Sequence, residues 1–206
     1  MPEAPPLLAL HRALACRGLS FDELRGQAQA IALFGSRAAG CAKPVSDWDL
    51  LCIGAGRSRK LPDLDIVWVE PRALEASTWL GRDLAGHVAA YGIWLEGEPR
   101  WDLGAVDFTA AARRKEESLA RSLRALAQAW ELLGPAYRAK HATLLRRDVQ
   151  RWSSLQRRLP IPPSAMLDDR WVAERLRGWL PDALLDLRAG TALAQSLCTY
   201  AVVQAA

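Results

Sequence analysis

Gly35-Ser36 is followed after ten residues by Asp47-Trp48-Asp49, a spacing that sets a phosphate-binding turn beside a pair of metal-binding carboxylates. The chemistry this combination suggests is nucleotidyl transfer. An apolar run, Ala30-Ile31-Ala32-Leu33-Phe34, leads into the glycine and predicts a buried strand. Without a Cβ, Gly35 lets the chain turn off that strand sharply, so that neighbouring backbone N–H groups can face an anion. Ser36 adds a hydroxyl, a short helix opening at Ser36 would add the positive end of its dipole, and Arg37 and Lys43 are nearby cations. Asp47 and Asp49 are two positions apart at the start of Leu50-Leu51-Cys52-Ile53. If they lie on a strand, their carboxylates share a face while Trp48 points the other way. Two hard oxygen anions on one face suit Mg²⁺ or Mn²⁺, which bind carboxylates together with substrate phosphates.

A third acid strengthens this reading. Asp65 lies inside Leu64-Asp65-Ile66-Val67-Trp68-Val69, another run with strand character. An ionised carboxylate there is costly unless it is paired or metal-bound, which points to a site shared with Asp47 and Asp49. Asp63, just after Pro62, is the competing candidate and reads as a solvated turn residue.

With these residues in hand, the chain resembles the DNA polymerase beta-type nucleotidyltransferases, especially the minimal nucleotidyltransferases of prokaryotes. The resemblance rests on Gly35-Ser36, Asp47-x-Asp49 and the strand carrying Asp65, and it covers roughly residues 28–104. It implies that Gly35 and Ser36, with Arg37 and Lys43 close by, hold the triphosphate of an NTP, ATP being the expected one. It implies further that Asp47 and Asp49 bind two divalent ions. Asp65 would bind the ion on the acceptor side and help deprotonate the attacking hydroxyl. The implied reaction is in-line attack on the α-phosphorus with release of pyrophosphate. The expected acceptor is a protein or RNA, as in toxin–antitoxin or defence systems, where a cognate toxin or antitoxin protein would be a partner. Two alternatives stand beside it: an aminoglycoside- or lincosamide-modifying transferase, and a non-catalytic module that holds nucleotide.

The expected fold class is α/β: a small mixed-sheet nucleotidyltransferase domain over residues 1–104, then a helical, bundle-like half over residues 105–206. Gly and Pro punctuate the first part, with helices expected near 7–17 and 20–27 and strands near 29–34, 48–53, 64–69 and 91–97. Beyond it, Leu119, Leu123, Leu126, Trp130 and Leu133 make one helical stripe, and Leu145, Val149, Trp152, Leu155 and Leu159 another, separated by Gly134-Pro135. Two further helices are expected over Asp168–Trp179 and Pro181–Val203.

The chain has 206 residues, half of them apolar, and a formal net charge of +4. That is enough for one substantial core or two modest ones. Its basic residues gather in the helical half, at Arg113, Arg114, Lys115, Arg121 and Arg124 and again from Arg138 to Arg158, interleaved with Glu116, Glu117, Glu131 and Asp148. Such faces could meet RNA phosphates or an acidic partner. Cys16, Cys41, Cys52 and Cys198 have no metal-type spacing and are expected to be reduced thiols. The first residues make a poor signal peptide and residues 189–206 a poor bilayer span, so a cytoplasmic protein with no membrane partner is expected. Trp130, Trp152, Trp171 and Trp179 read as core residues, whereas Trp94 and Trp101 stand where a member of the resembled family would meet a base or acceptor. Arg82-Asp83, with His87 four positions later, resembles the Arg-polar-x-x-x-His element of HEPN ribonucleases. Its place ahead of a strand in the catalytic half, rather than on a helical bundle, argues for coincidence.

Overall fold

Three short runs are apolar at nearly every position, so one sheet acquires two apolar faces, and each needs a cover. The computed structural model describes residues 7–129 and 132–166. Among these the chain is mixed α/β, with one five-stranded mixed sheet and several helices. The order along the chain is α1 (Leu7–Ala15), α2 (Phe21–Gln27), β1 (Ala28–Phe34), α3 (Gly35–Ala38), β2 (Trp48–Gly54), β3 (Arg59–Leu61), β4 (Leu64–Val69), α4 (Pro71–Glu75), α5 (Ser77–Leu80), α6 (Asp83–Tyr91) and β5 (Ile93–Glu96). The strands lie side by side as β3-β4-β2-β1-β5. Only β2 and β4 run parallel; the other neighbours are antiparallel.

One face packs on the first two helices: Ile31, Leu33, Trp48, Leu50, Cys52, Leu64 and Ile66 meet Leu10, Leu14 and Leu24. The opposite face carries Ala32, Phe34, Leu51 and Val69 against Trp79, Ala85 and Val88 of α5 and α6. Parity assigns Asp49 and Asp65 to this second face, ahead of Leu51 and Val67. Each fully buried leucine or isoleucine of the core contributes roughly 1.5–3 kcal/mol, so the strand parity is strongly held. A slip by one residue would turn the aspartates into the leucine-rich face. At the start of α2, Ser20 Oγ accepts the Glu23 N–H and the Glu23 carboxylate accepts the Ser20 N–H, each at 3.0 Å, a reciprocal cap that fixes where the helix begins.

The strands expected over 29–34, 48–53 and 64–69 are present as β1, β2 and β4. The first helix stops at Ala15 rather than residue 17, and the strand expected over 91–97 is shorter, because Tyr91 closes α6 and Gly92 N–H still bonds to Val88 O. The sequence reading did not anticipate β3 or the helices between β4 and β5.

By its internal contacts the chain divides into two units, one running to Phe108 and including Pro160–Met166, the other containing Thr109–Leu159. In the second unit, α7 (Phe108–Ala129) and α8 (Pro135–Gln156) are joined through Gly134, with Pro135 at the first position of α8, where its missing N–H is no loss. Lys115 Nζ donates to Asp148 Oδ1 at 3.4 Å, tying the two helices together. Leu119, Leu145, Val149, Trp152 and Leu155 are buried as the stripes require, but Leu159 is 43% exposed. It lies past the helix end, in a turn where Arg158 has a positive φ and Leu159 N–H bonds to Ser154 O. The side chains of Leu123 and Leu126, Trp130, and the helices expected over Asp168–Trp179 and Pro181–Val203 fall outside the described residues and side chains.

Candidate active site at the aspartate edge

Strand register builds the site. Across the sheet, Lys60 of β3 pairs with Asp65 of β4, Asp65 with Asp49 of β2, and Asp49 with Phe34 of β1. Directly opposed residues on neighbouring strands share a face and stand within side-chain reach. The row therefore reads cation, carboxylate, carboxylate, and then the end of the strand that turns into Gly35. Asp47 immediately precedes β2 and joins the row from its edge. Lys60 Nζ lies 2.8 Å from Asp65 Oδ2 and 3.7 Å from Asp47 Oδ2, so one ammonium bridges two of the three acids.

Gly35 has φ +75°, a conformation that side chains rarely adopt, and a Cβ placed on it would run into the Asp49 carboxylate. Both backbone conformation and space thus demand glycine. The turn that follows is α3, a single turn closed by Ala39 N–H to Gly35 O at 3.1 Å. The Gly35 N–H itself faces inward and donates to His87 Nε2 at 3.2 Å. As in any first helical turn, the amides of Ser36 and Arg37 have no intrahelical acceptor. His87 is buried on α6, and its Nδ1 lies 2.6 Å from Ile161 O. A carbonyl can only accept, so Nδ1 carries the hydrogen and Nε2 is free to receive the Gly35 amide. The neutral ring thereby joins the Gly35 turn to the Pro160–Met166 segment.

Arg37 is turned toward its own loop. Its Nε and Nη2 donate to Ser46 O at 3.1 and 2.7 Å, Nε also reaches Asp47 O at 3.2 Å, and the guanidinium lies 4.1 Å over the Trp48 ring. It holds the loop that delivers Asp47. Lys43 shapes the same loop through its backbone, its N–H donating to Ser46 Oγ at 2.9 Å and its carbonyl accepting the Ser46 N–H, while the side chain is exposed. The carbonyl of Ser36 accepts the Cys41 N–H at 3.0 Å.

Burial first of all, and then the neighbouring Asp65 and Asp47 charges, raise the Asp49 carboxyl to about 6, even though Lys60 and Arg37 pull the other way. For Lys60 burial works downward, yet its hydrogen bond to Asp65 and the charges of the three acids prevail and raise it. The site holds an excess of negative charge that a single ammonium only partly offsets. Among the described residues, no group of three or more His, Cys, Asp and Glu side chains is gathered as a ready-made ion site. The acids are linked through Lys60 instead.

Asp63, the competing acid, is accounted for: Arg17 Nε donates to its Oδ1 at 2.8 Å and holds its carboxyl below the usual range. Its carbonyl also accepts the Trp48 N–H, which pins the start of β2. Trp94 and Trp101 stack edge-on at 5.7 Å, Trp101 meets Trp79 in the same way at 5.5 Å, and Trp101 Nε1 donates to Ala85 O. They are packing residues of the second face. Arg82 and Asp83 flank the start of α6, whereas His87 is engaged beneath the phosphate turn. Cys16, Cys41 and Cys52 are free thiols, Cys52 pushed up to about 12 by burial, and Cys198 lies outside the described residues. No helix among the described residues is long and apolar enough to cross a membrane.

The place of Lys60 beside the acids and of His87 beneath Gly35 was not expected from the sequence. A signal for Lys60 existed: a two-residue Pro62-Asp63 turn between Leu61 and Leu64 makes Lys60 the hairpin partner of Asp65. His87 had none, because its partners are far away in sequence. A scan against protein-family models and a search of curated proteins both find no match for this chain.

Proposed function

We propose that this protein is a metal-dependent nucleotidyltransferase that moves an NMP, AMP in the first instance, from an NTP to a hydroxyl of a protein or RNA acceptor. The observation that carries the proposal is the register of Asp49 against Asp65, with the Gly35 turn on one side and Asp47 at the edge. The donor set suits Mg²⁺ or Mn²⁺: three carboxylates share one edge, a cation already stands between two of them, and glycine leaves the space beside Asp49 clear. Asp47 and Asp49 would hold the ions on the nucleotide side and Asp65 the one on the acceptor side. Bound there, the ions supply Lewis-acid activation of the hydroxyl and neutralise charge on the phosphates.

The chain's own groups hold and orient. Ser36 and the first-turn amides of Ser36 and Arg37 receive phosphate oxygens, while Arg37 and Lys43 keep the loop that carries Asp47 in place. The acceptor oxygen attacks the α-phosphorus, a new P–O bond forms, the bond to the bridging oxygen breaks, and its electron pair leaves with pyrophosphate. The hydroxyl proton passes to the Asp65 carboxylate, which the register sets directly beside Asp49.

A second reading, a module that binds nucleotide without transferring it, gains support from Lys60, whose ammonium neutralises part of the acid edge. Incubation with each α-labelled NTP, Mg²⁺ or Mn²⁺, total RNA, cell lysate and a panel of aminoglycosides separates the possibilities. Label on protein or RNA supports the proposal, and label on a drug identifies a small-molecule transferase. Bound NTP with no labelled acceptor in any arm favours the binding module.

A further inference from the structure

A monovalent cation built into a divalent site must compete with the ion the site is meant for. Lys60 is so placed by topology: β3 is a three-residue edge strand, and antiparallel register brings Lys60 opposite Asp65, with its ammonium 2.8 Å from Asp65 and 3.7 Å from Asp47. The ammonium is held from one side only, and the Lys60 side chain remains 64% exposed, so it can swing away without disturbing the core. Exposed ion pairs of this kind are weak and easily exchanged. No other cationic side chain lies within ion-pair distance of Asp47 or Asp65 among the described residues.

We propose that Lys60 is a tethered counter-ion of the aspartate edge: it occupies the cation position between Asp47 and Asp65 while nucleotide is absent, and gives that position up to a divalent ion when a triphosphate arrives to receive the ammonium. The inference rests on the nucleotidyl-transfer reading. A bare divalent ion entering the site must displace the ammonium and brings no anion to receive it. An ion arriving with a triphosphate brings negative charge within reach of that ammonium, so displacement is compensated. Lys60 therefore makes metal binding depend on nucleotide binding and keeps the acid edge from filling with metal alone.

The test is Mn²⁺ binding, read by loss of the free-ion electron paramagnetic resonance signal, with and without a non-hydrolysable NTP analogue. The proteins are the full-length chain, K60M, K60R and the D47N/D49N double variant, each checked for folding by circular dichroism. In K60M, Mn²⁺ binds about tenfold more tightly without nucleotide, and the gain in Mn²⁺ affinity caused by the analogue shrinks by a similar factor. K60R behaves as the parent does. Equal Mn²⁺ affinity in parent and K60M, with D47N/D49N weaker than both, overturns the role of Lys60 and leaves the transferase reading in place. Mn²⁺ binding by none of the proteins, with or without the analogue, overturns both.

Discussion

Asp49 is a carboxylate whose burial works against its charge. Its folded value of about 6 stands above the ordinary 3.8, so between those limits the folded chain binds more protons than the unfolded one, and stability falls as pH rises through that window. Two units correspond to roughly 3 kcal/mol, and partial solvent access reduces this to on the order of 1–2 kcal/mol. Asp49→Asn should therefore stabilise the free protein by about that amount at pH 7.5 and flatten its stability between about pH 4 and 6, as read from urea melts across pH. The same change should lower nucleotide transfer by on the order of a hundredfold or more, since a ligand is lost. At this scale the sequence was readable where residue type and spacing fix placement: Asp49 and Asp65 share a face beside the Gly35 turn, as the strand period requires. For Arg37 spacing was silent, because one guanidinium serves a phosphate or a loop carbonyl equally well. The structure shows it bonded to Ser46 and Asp47 carbonyls.

Elements carry the positioning. Gly35→Ala should cost about 1–3 kcal/mol of stability through its left-handed backbone and the clash with Asp49, and should also weaken NTP binding, measured by thermal melts and nucleotide titration. His87→Phe leaves the Gly35 amide and the Ile161 carbonyl without their partner, a loss of roughly 2–4 kcal/mol. The phosphate turn should loosen with it, raising the Kd for NTP by about tenfold. Three strands were legible because each is a short, nearly continuous apolar run bounded by turn residues. Strand β3 was not, since Arg59-Lys60-Leu61 offers no apolar period and its pairing follows only from the turn beside it. Of the unanticipated helices, α4 and α5 are too short to display a helical period.

On the scale of the whole molecule, the chain returns to its first unit. Pro160–Met166 belongs with the sheet, Ile161 is buried there, and its carbonyl takes the His87 hydrogen. A fragment ending at Phe108 should therefore be less stable than the full chain by at least the roughly 1–3 kcal/mol of that lost buried bond, and hydrogen exchange at Gly35 should accelerate in it. A composition shift near residue 105 reveals where helices replace strands, but it cannot reveal a seven-residue return, which leaves no periodicity to read. Acceptor choice is the remaining question at this scale. The basic residues of α7 and α8 make salt a useful discriminator: transfer to RNA should fall about tenfold between roughly 50 and 200 mM salt, whereas transfer to a protein acceptor should change little.

Transfer from α-labelled ATP by the unsubstituted protein, compared at equal concentration with a folded D47N/D49N variant, decides whether the aspartate edge acts as proposed. Label on a protein or RNA acceptor, with stoichiometric pyrophosphate, is expected in the first and none in the second. Equal labelling by both proteins, or ATP binding without label by the unsubstituted chain against every acceptor, would contradict the proposal.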